Sequence, residues 1–195
     1  MNRFFSGGVF LDKREDILQA ALTLFAERGY HGTAVALIAE KAQVGSGTIY
    51  RYFRDKEQLV NELYRFWKTE MVKAVREDLP ENLPLRTLFH ETWIRWVEFA
   101  MRHREAYTFL IAHHHAPYLD QASVAMSEQL HNEYLAFFEI GRRQEIIKDV
   151  EPQLIMAIVT GIFSEMLREY WAGHLKLTPE IIVQAEEACW HAIRR

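Results

Sequence analysis

The run Val44-Gly45-Ser46-Gly47-Thr48-Ile49-Tyr50-Arg51-Tyr52-Phe53 gathers small residues, hydroxyls, two phenols and a guanidinium in one short stretch. On a helix, Ile49 and Phe53 stand four apart, share one face and can pack inward. Ser46, Thr48, Tyr50, Arg51 and Tyr52 take the other directions. A helix with no bulk in its first turn approaches another surface closely, and these donors suit phosphate oxygens and base edges. The chemistry is that of a recognition helix.

Other chemistry-bearing groups are weaker. His113, His114 and His115 are consecutive, so on a helix they diverge by about 100° each. Ligands on one helix need i,i+3 or i,i+4 spacing, and the trio reads as structural or pocket-lining before it reads as a metal site. Glu128-x-x-His131 is half of a di-iron pattern whose second half is missing. Gly45-x-Gly47 is not followed by the Gly-Lys-Ser/Thr of a phosphate loop, and there is no Gly-x-Ser-x-Gly elbow. No residue set argues for catalysis, a metal or a cofactor. The competing reading is a helical-bundle enzyme or metal protein built on His113–His115.

A recognition helix needs a platform. Upstream, Thr33 to Ala42 reads as a short helix with Thr33 as N-cap, and Ala42-Gln43-Val44-Gly45 is a connection of helix-turn-helix length. Downstream, Asp55-Lys56-Glu57-Gln58 is a capping box that opens another helix. Before both, Asp12 with Glu15 caps a first helix whose Ile17, Leu18, Ala21, Leu24 and Phe25 form one stripe, with Gly29 as a natural C′ residue. Leu37, Ile38 and Ala42 complete the small core.

With that context the N-terminal stretch resembles the DNA-binding domain of tetracycline-repressor (TetR) family regulators. Gly29-Tyr30, Thr33, Ile38-Ala39, Gly47-Thr48-Ile49-Tyr50-Arg51-Tyr52-Phe53 and Lys56-Glu57-Gln58-Leu59 carry the resemblance, which spans residues 12 to 60. Two positions depart from the pattern: Gln43 stands where the family usually has Gly, and Gly45 where it usually has Ser. Either Gln43 takes a left-handed conformation, at a cost of about 1–2 kcal/mol, or Gly45 does.

The resemblance implies an all-α protein with an N-terminal three-helix helix-turn-helix domain and a C-terminal helical-bundle domain for ligand binding and dimerisation. The expected division is a flexible arm over 1–11, the DNA-binding domain over 12–58 and the second domain over 59–195. It implies a non-enzymatic repressor that binds double-stranded operator DNA as a homodimer and leaves it when a small effector binds. Thr33, Tyr50, Tyr52 and Lys56 are the expected phosphate contacts. Ser46, Gly47, Thr48 and Arg51 are the expected base-reading positions.

Composition agrees. The net charge of −4 argues against a nonspecific nucleic-acid coat. Residues 1–54 nevertheless hold seven basic against five acidic side chains. A locally positive head on an acidic body suits docking by one end. The apolar content of 49% supports a sizeable core, and no run is long enough to span a membrane. Met1–Leu11 lacks the apolar centre and cleavage site of a signal peptide. The single cysteine, Cys189, excludes an intrachain disulfide, fits a reducing cytoplasmic compartment and reads as a small buried apolar residue.

The rest of the chain is helical by pattern. An amphipathic rod is expected from Asp55 to Leu79, with Leu59, Leu63, Phe66, Trp67, Met71 and Ala74 inward. Helices follow from Pro84 to His103, Arg104 to His115, Leu119 to Gln144 and Pro152 to Trp171, then from Thr178-Pro179 onward. Trp93, Trp96, Phe109, His113, Tyr134, Phe137, Phe163 and Tyr170, bordered by Phe66 and Trp67, are the candidates for lining a pocket, and they point to a largely apolar or aromatic ligand. The Pro152–Trp171 helix is apolar nearly all round, so Ile158, Ile162, Ile182 and Ala185 are the candidate dimer seam.

Overall fold

A computed structural model describes residues 13–80 and 82–195. The expected arm over 1–11 and the capping residue Asp12 lie outside the described residues. Among these the chain forms α1 (Lys13–Arg28), α2 (Val35–Lys41), α3 (Ser46–Tyr52), α4 (Lys56–Arg76), α5 (Leu85–Arg102), α6 (Arg104–Ala112), α7 (Gln121–Arg143), α8 (Pro152–Trp171) and α9 (Pro179–Ile193), with no strand. The all-α class is as the sequence implies. No helix is long and apolar enough to cross a membrane among the described residues.

The chain divides into two compact units. The first takes the chain through Glu77 together with Glu98–Met126, and the second takes Asp78–Val97 with Ser127–Arg195.

In the first unit, Ile17, Ala21, Leu24 and Phe25 of α1 are buried, as are Ile38 of α2, Ile49 of α3 and Phe53 just after it. This is the expected three-helix core, except that Leu37 and Ala42 are only half-buried and Ala39 is buried instead. α1 also packs on α4 and α6, and Phe25 meets Phe109 of α6 with ring centroids 6.1 Å apart. α1 ends because Gly29 turns left-handed at φ +67° and its N–H returns to Phe25 O, the αL cap that glycine adopts freely.

Several boundaries differ from expectation. The N-cap of α2 is Ala34, not Thr33. α4 stops at Arg76, three residues short of Leu79, and Val75 rather than Ala74 is buried in its last turn. Pro84 sits just outside α5, its carbonyl accepting from Leu88 N. α6 ends at Ala112, which puts His113–His115 in a turn. α7 opens on an unforeseen cap, with Ser123 N donating to Asp120 Oδ1 at 2.9 Å. Asp55 caps α4 as expected, accepting from Gln58 N at 2.7 Å. The Gln58 side chain, however, accepts from Arg54 N, one residue upstream of the reciprocal partner in a full capping box.

In the second unit, α8 packs on α9. The C-terminal chain is tied down by Lys148 N donating to Ile193 O and Arg195 N to Ile146 O. Glu186 is fully buried and paired with Arg86 at 2.6 and 2.9 Å. Cys189 is fully buried, and burial pushes its thiol up to about 12.

α8 keeps part of its apolar surface open in the single chain. Only Ile155, Phe163, Met166 and Leu167 are buried. Leu154 is 53% exposed, and Ile158, Val159 and Ile162 are only half-buried.

Candidate nucleic-acid interface

The corner between α2 and α3 is set by one strained residue. Gln43 has φ +55° while Gly45 is extended, so Gln43 carries the left-handed turn. Val44 N donates to Ala39 O at 2.9 Å and Gln43 N to Glu40 O at 3.1 Å, closing the turn behind it. Extended Gly45 then serves as N-cap of α3. Ile49 and Phe53 hold α3 by its inner face, 3% and 0% exposed.

The outer face is left to solvent. Ser46, Gly47, Tyr50 and Arg51 are exposed, and Thr48 and Tyr52 half-buried. A Cβ placed on Gly45 or Gly47 would meet no atom within 4 Å, and neither residue has a positive φ. Internal packing therefore does not require glycine at either position. Their smallness clears the approach from outside.

Two of the expected phosphate contacts are placed otherwise. Thr33 is fully buried, its hydroxyl donating to Gly29 O at 2.8 Å and Leu24 O at 3.1 Å. The hydroxyl is taken up by carbonyls around the end of α1, and Thr33 N donates to Tyr30 O, so the expected Thr33 phosphate contact is corrected. Lys56 donates through Nζ to Tyr30 O at 2.9 Å and Thr33 O at 3.0 Å, and lies 3.9 Å above the Tyr30 ring. It ties the start of α4 to the turn between α1 and α2, and burial draws its ammonium below the usual lysine range. Two of its three N–H donors are taken by these carbonyls.

The turn held by Lys56 is backed by an aromatic cluster within the first unit. Tyr30 stacks on Tyr118 at 3.9 Å. His113 lies 4.3 Å from Phe109, 5.9 Å from Phe25 and 5.8 Å from Tyr118. His113 Nδ1 stands 2.8 Å from Phe109 O, which makes it the donor in a neutral ring. Burial lowers its proton affinity, and Nε2 is buried without a partner among the described residues. His114 and His115 lie in exposed positions while His113 turns inward, so the three do not converge. Among the described residues no group of three or more His, Cys, Asp or Glu is placed to hold a metal.

The candidate pocket residues fall within both units. In the first, Phe109 and His113 build the packing of α6 on α1, and Trp67 contacts Phe66, His103 and Phe99 at 5.3, 5.1 and 6.3 Å. In the second, Phe163 meets Trp93 at 5.2 Å and Trp96 at 5.3 Å, and Trp96 Nε1 donates to Tyr134 Oη at 3.2 Å. Trp93 Nε1 is buried with no acceptor among the described residues. Phe137 packs against its neighbour Phe138, and Tyr170 is half-buried on α8.

Sequence reading missed the polar features of α4. Asn61 donates to Glu57 O and Tyr118 O and accepts from Asp120 N, all at 2.8–2.9 Å. Arg65 pairs with Asp120 at 2.7 Å. Lys68 is 8% exposed. Their spacing of three and four was the available signal, since it puts them on or beside the apolar stripe.

A buried three-helix platform that presents a short helix of hydroxyls, phenols and one guanidinium is a DNA-reading head, and it makes this chain a helix-turn-helix transcriptional regulator. Comparison with known proteins places it further. Residues 17–63 match the model for bacterial regulatory proteins of the tetR family, and residues 66–195 match the tetracyclin repressor-like C-terminal domain. The chain belongs to that family. It is 27% identical over 176 residues to the HTH-type transcriptional regulator YhgD of Bacillus subtilis, covering 88% of this chain and 91% of that one. It is 45% identical over 53 residues to the HTH-type transcriptional repressor KstR2 of Mycolicibacterium smegmatis, covering 27% and 26% of the two chains. A TetR family regulator from Marinobacter aquaeolei superposes with a TM-score of 0.82 at 22% identity, over 93% of this chain and 95% of that one, which speaks to the fold alone.

Proposed function

We propose that the chain is an operator-binding repressor that works as a homodimer and is released by a small, largely apolar or aromatic ligand. The observation that carries the DNA reading is the outer face of α3, where donors stand exposed around two glycines that nothing inside the protein requires. Tyr50, Tyr52 and the remaining donor of Lys56 are assigned to phosphates, and Ser46, Gly47, Thr48 and Arg51 to base edges. Residues 12–58 are assigned to DNA and 59–195 to ligand and dimer, a division supported by the two family models meeting between 63 and 66. Operator DNA places the protein's work in the cytoplasm. Repression is the mode printed in the name of KstR2.

The uncovered row on α8 supports the homodimer. Leu154, Ile158 and Ile162 recur every four residues, and a Cβ at Gly161 beside them would meet nothing. With Ile182 and Ala185 of α9, both half-buried, they form a face that a second copy would cover under two-fold symmetry. Two heads then read half-sites one helical turn apart, roughly 34–36 Å, or a multiple of it. The cluster of Trp93, Trp96, Tyr134 and Phe163, with its unpaired indole N–H on Trp93, supports an aromatic-lined site for a ligand bearing a hydrogen-bond acceptor.

A gel-shift against the DNA upstream of the coding sequence tests the reading, first with protein alone and then with planar hydrophobic compounds that quench tryptophan fluorescence. Retarded bands that such compounds dissolve are the expected result. Compounds that bind yet leave the bands unchanged would remove ligand release from the account.

A further inference from the structure

The turn between α1 and α2 holds an aromatic ring used on both sides. The Lys56 ammonium stands over Tyr30, with Nζ 3.9 Å from the ring centroid. Tyr118 stacks on the same ring, with centroids 3.9 Å apart and planes 20° from parallel. Two groups this close to one centroid must take opposite faces, so Tyr30 is sandwiched between them. Tyr118 comes from the turn before α7, far along the chain from the three helices of the head, yet it belongs to the same compact unit. Its own position is set by α4. Asn61 is 2% exposed. It donates from Nδ2 to Tyr118 O at 2.8 Å and to Glu57 O at 2.9 Å, and accepts at Oδ1 from Asp120 N at 2.8 Å. Arg65, one turn on, grips the Asp120 carboxylate at 2.8 and 2.7 Å. A carboxamide bonded at both ends has a single orientation, and it fixes the backbone that carries Tyr118. The contacts form a closed circuit, from α4 through Lys56, Tyr30, Tyr118 and Asn61 back to α4.

We propose that Tyr118 is a positioning residue for DNA binding, acting through the Tyr30 ring to hold the Lys56 ammonium where a phosphate can take its third N–H. The inference rests on the reading of Lys56 as a phosphate contact. Two of the ammonium's donors go to Tyr30 O and Thr33 O, both in one turn, so the lysine tip is fixed only as firmly as that turn. The Tyr30 ring supplies the remaining attraction, because a cation is drawn to a ring face. That attraction has a direction only while the ring keeps its own. With one face open to water, a tyrosine side chain at a turn can leave for another rotamer, and the lysine would follow or lose the contact. Tyr118 covers that face and closes the route. The contact is made by the ring face, which phenylalanine shares and an aliphatic side chain lacks. A residue outside the three head helices thus sets the reach of a cation at the DNA surface.

The test measures binding of the full chain to a duplex of the DNA upstream of its coding sequence, over a series of salt concentrations. Tyr118→Leu should weaken binding about threefold to tenfold and reduce the slope of log affinity against log salt by about 0.9 for each chain bound, the signature of one lost phosphate contact. Tyr118→Phe should restore both. In a Lys56→Met background, Tyr118→Leu should cost nothing more, because two residues that act through one contact are not additive. Helical circular dichroism of each variant serves as the control for folding. Tyr118→Met, which keeps the bulk without a ring face, takes the place of Tyr118→Leu if that variant loses its helical signal, with the same results expected. A full salt slope without the ring, a Tyr118→Phe variant that stays weak, or a loss that adds to that of Lys56→Met would each overturn the proposal and leave the reading of Lys56 standing. A slope that Lys56→Met itself leaves unchanged would remove that reading and the proposal with it.

Discussion

α3 and α8 both leave side chains uncovered, and the difference between them is chemical. α3 buries Ile49, with Phe53 at its C-cap also buried, and turns hydroxyls, phenols and a guanidinium outward. α8 buries Ile155, Phe163, Met166 and Leu167 and still leaves Leu154, Ile158, Val159 and Ile162 at least partly exposed. Polar donors lose little in water and gain from a polyanion. An exposed aliphatic row gains nothing from water and is stabilised by burial at about 25 cal/mol per Å². Incomplete packing thus has two readings, and the residue types are the ground on which the proposal assigns α3 to a nucleic-acid partner and α8 to a second copy of the chain.

The sharpest way to break the comparison is to put a charge on the aliphatic face. Ile162→Arg should give monomers by sedimentation and lower operator affinity by about a hundredfold or more, since pairing two heads on one duplex multiplies affinity by roughly 10²–10⁴. A dimer that persisted would move the seam off α8. Bulk on the polar face should act on DNA alone. Gly47→Leu starts from a Cβ position with no described atom within 4 Å and replaces glycine by a better helix former, so the head should be stabilised by about 0.5–1 kcal/mol. Operator binding should nevertheless fall more than tenfold by gel-shift. A loss of stability of similar size would instead assign Gly47 to packing.

Smaller effects separate the side chains of α3 from the platform beneath. Arg51→Ala should relax base preference at one position of each half-site by about 1–3 kcal/mol, measured by binding to a substituted operator series. Lys56→Met removes two bonds to carbonyls and a cation–π contact. It should lower head stability by about 1–3 kcal/mol while weakening all DNA sequences alike. A salt dependence unchanged by that substitution would confine Lys56 to the turn it ties.

The smallest effect is one of pH. Burial takes Lys68 from 10.5 to about 8, so between those values the unfolded chain holds a proton that the folded chain has released. Stability then rises with pH across that window. Below it, Lys68→Met should be the more stable protein, and its advantage should shrink as pH climbs from about 8 to 10.5. Cys189 acts in the opposite sense, since its thiol is pushed from 9.0 to about 12 and the unfolded chain ionises first as pH rises. That contribution is common to both proteins and cancels in the difference. A pH-independent gap in thermal midpoint would contradict the desolvation of Lys68.

The head was legible because local rules and tertiary packing agree there. Ile49 and Phe53 at four-residue spacing, Gly29 as a left-handed cap and Asp55 as an N-cap each carry a short-range signal, and each is found. Thr33 misled because a threonine before a helix is a good N-cap by type, whereas its hydroxyl is taken by Leu24 O and Gly29 O. That competition is set by the fold of the turn and not by the residues beside it. The ambiguity at Gln43 and Gly45 resolved onto Gln43, against the ordinary preference of glycine for positive φ. On α8 the excess of apolar residues was legible, but which of them the chain itself covers was not, since a pattern apolar all round does not say which neighbour supplies the cover. Lys68 was invisible for a related reason. A lysine on an apolar stripe normally lays its stem along the core and snorkels to water, and only the packed structure shows that this one is left 8% exposed.

The account rests on two chains standing on one operator by their α3 helices. Hydroxyl-radical footprinting of the upstream DNA, on a complex whose mass is fixed by sedimentation, tests it most directly. The account predicts two chains or a multiple of two per duplex, with two protected patches related by two-fold symmetry and centred about 34–36 Å, or a multiple of that distance, apart. A single chain on a single protected patch, or protection without sequence register, would contradict it.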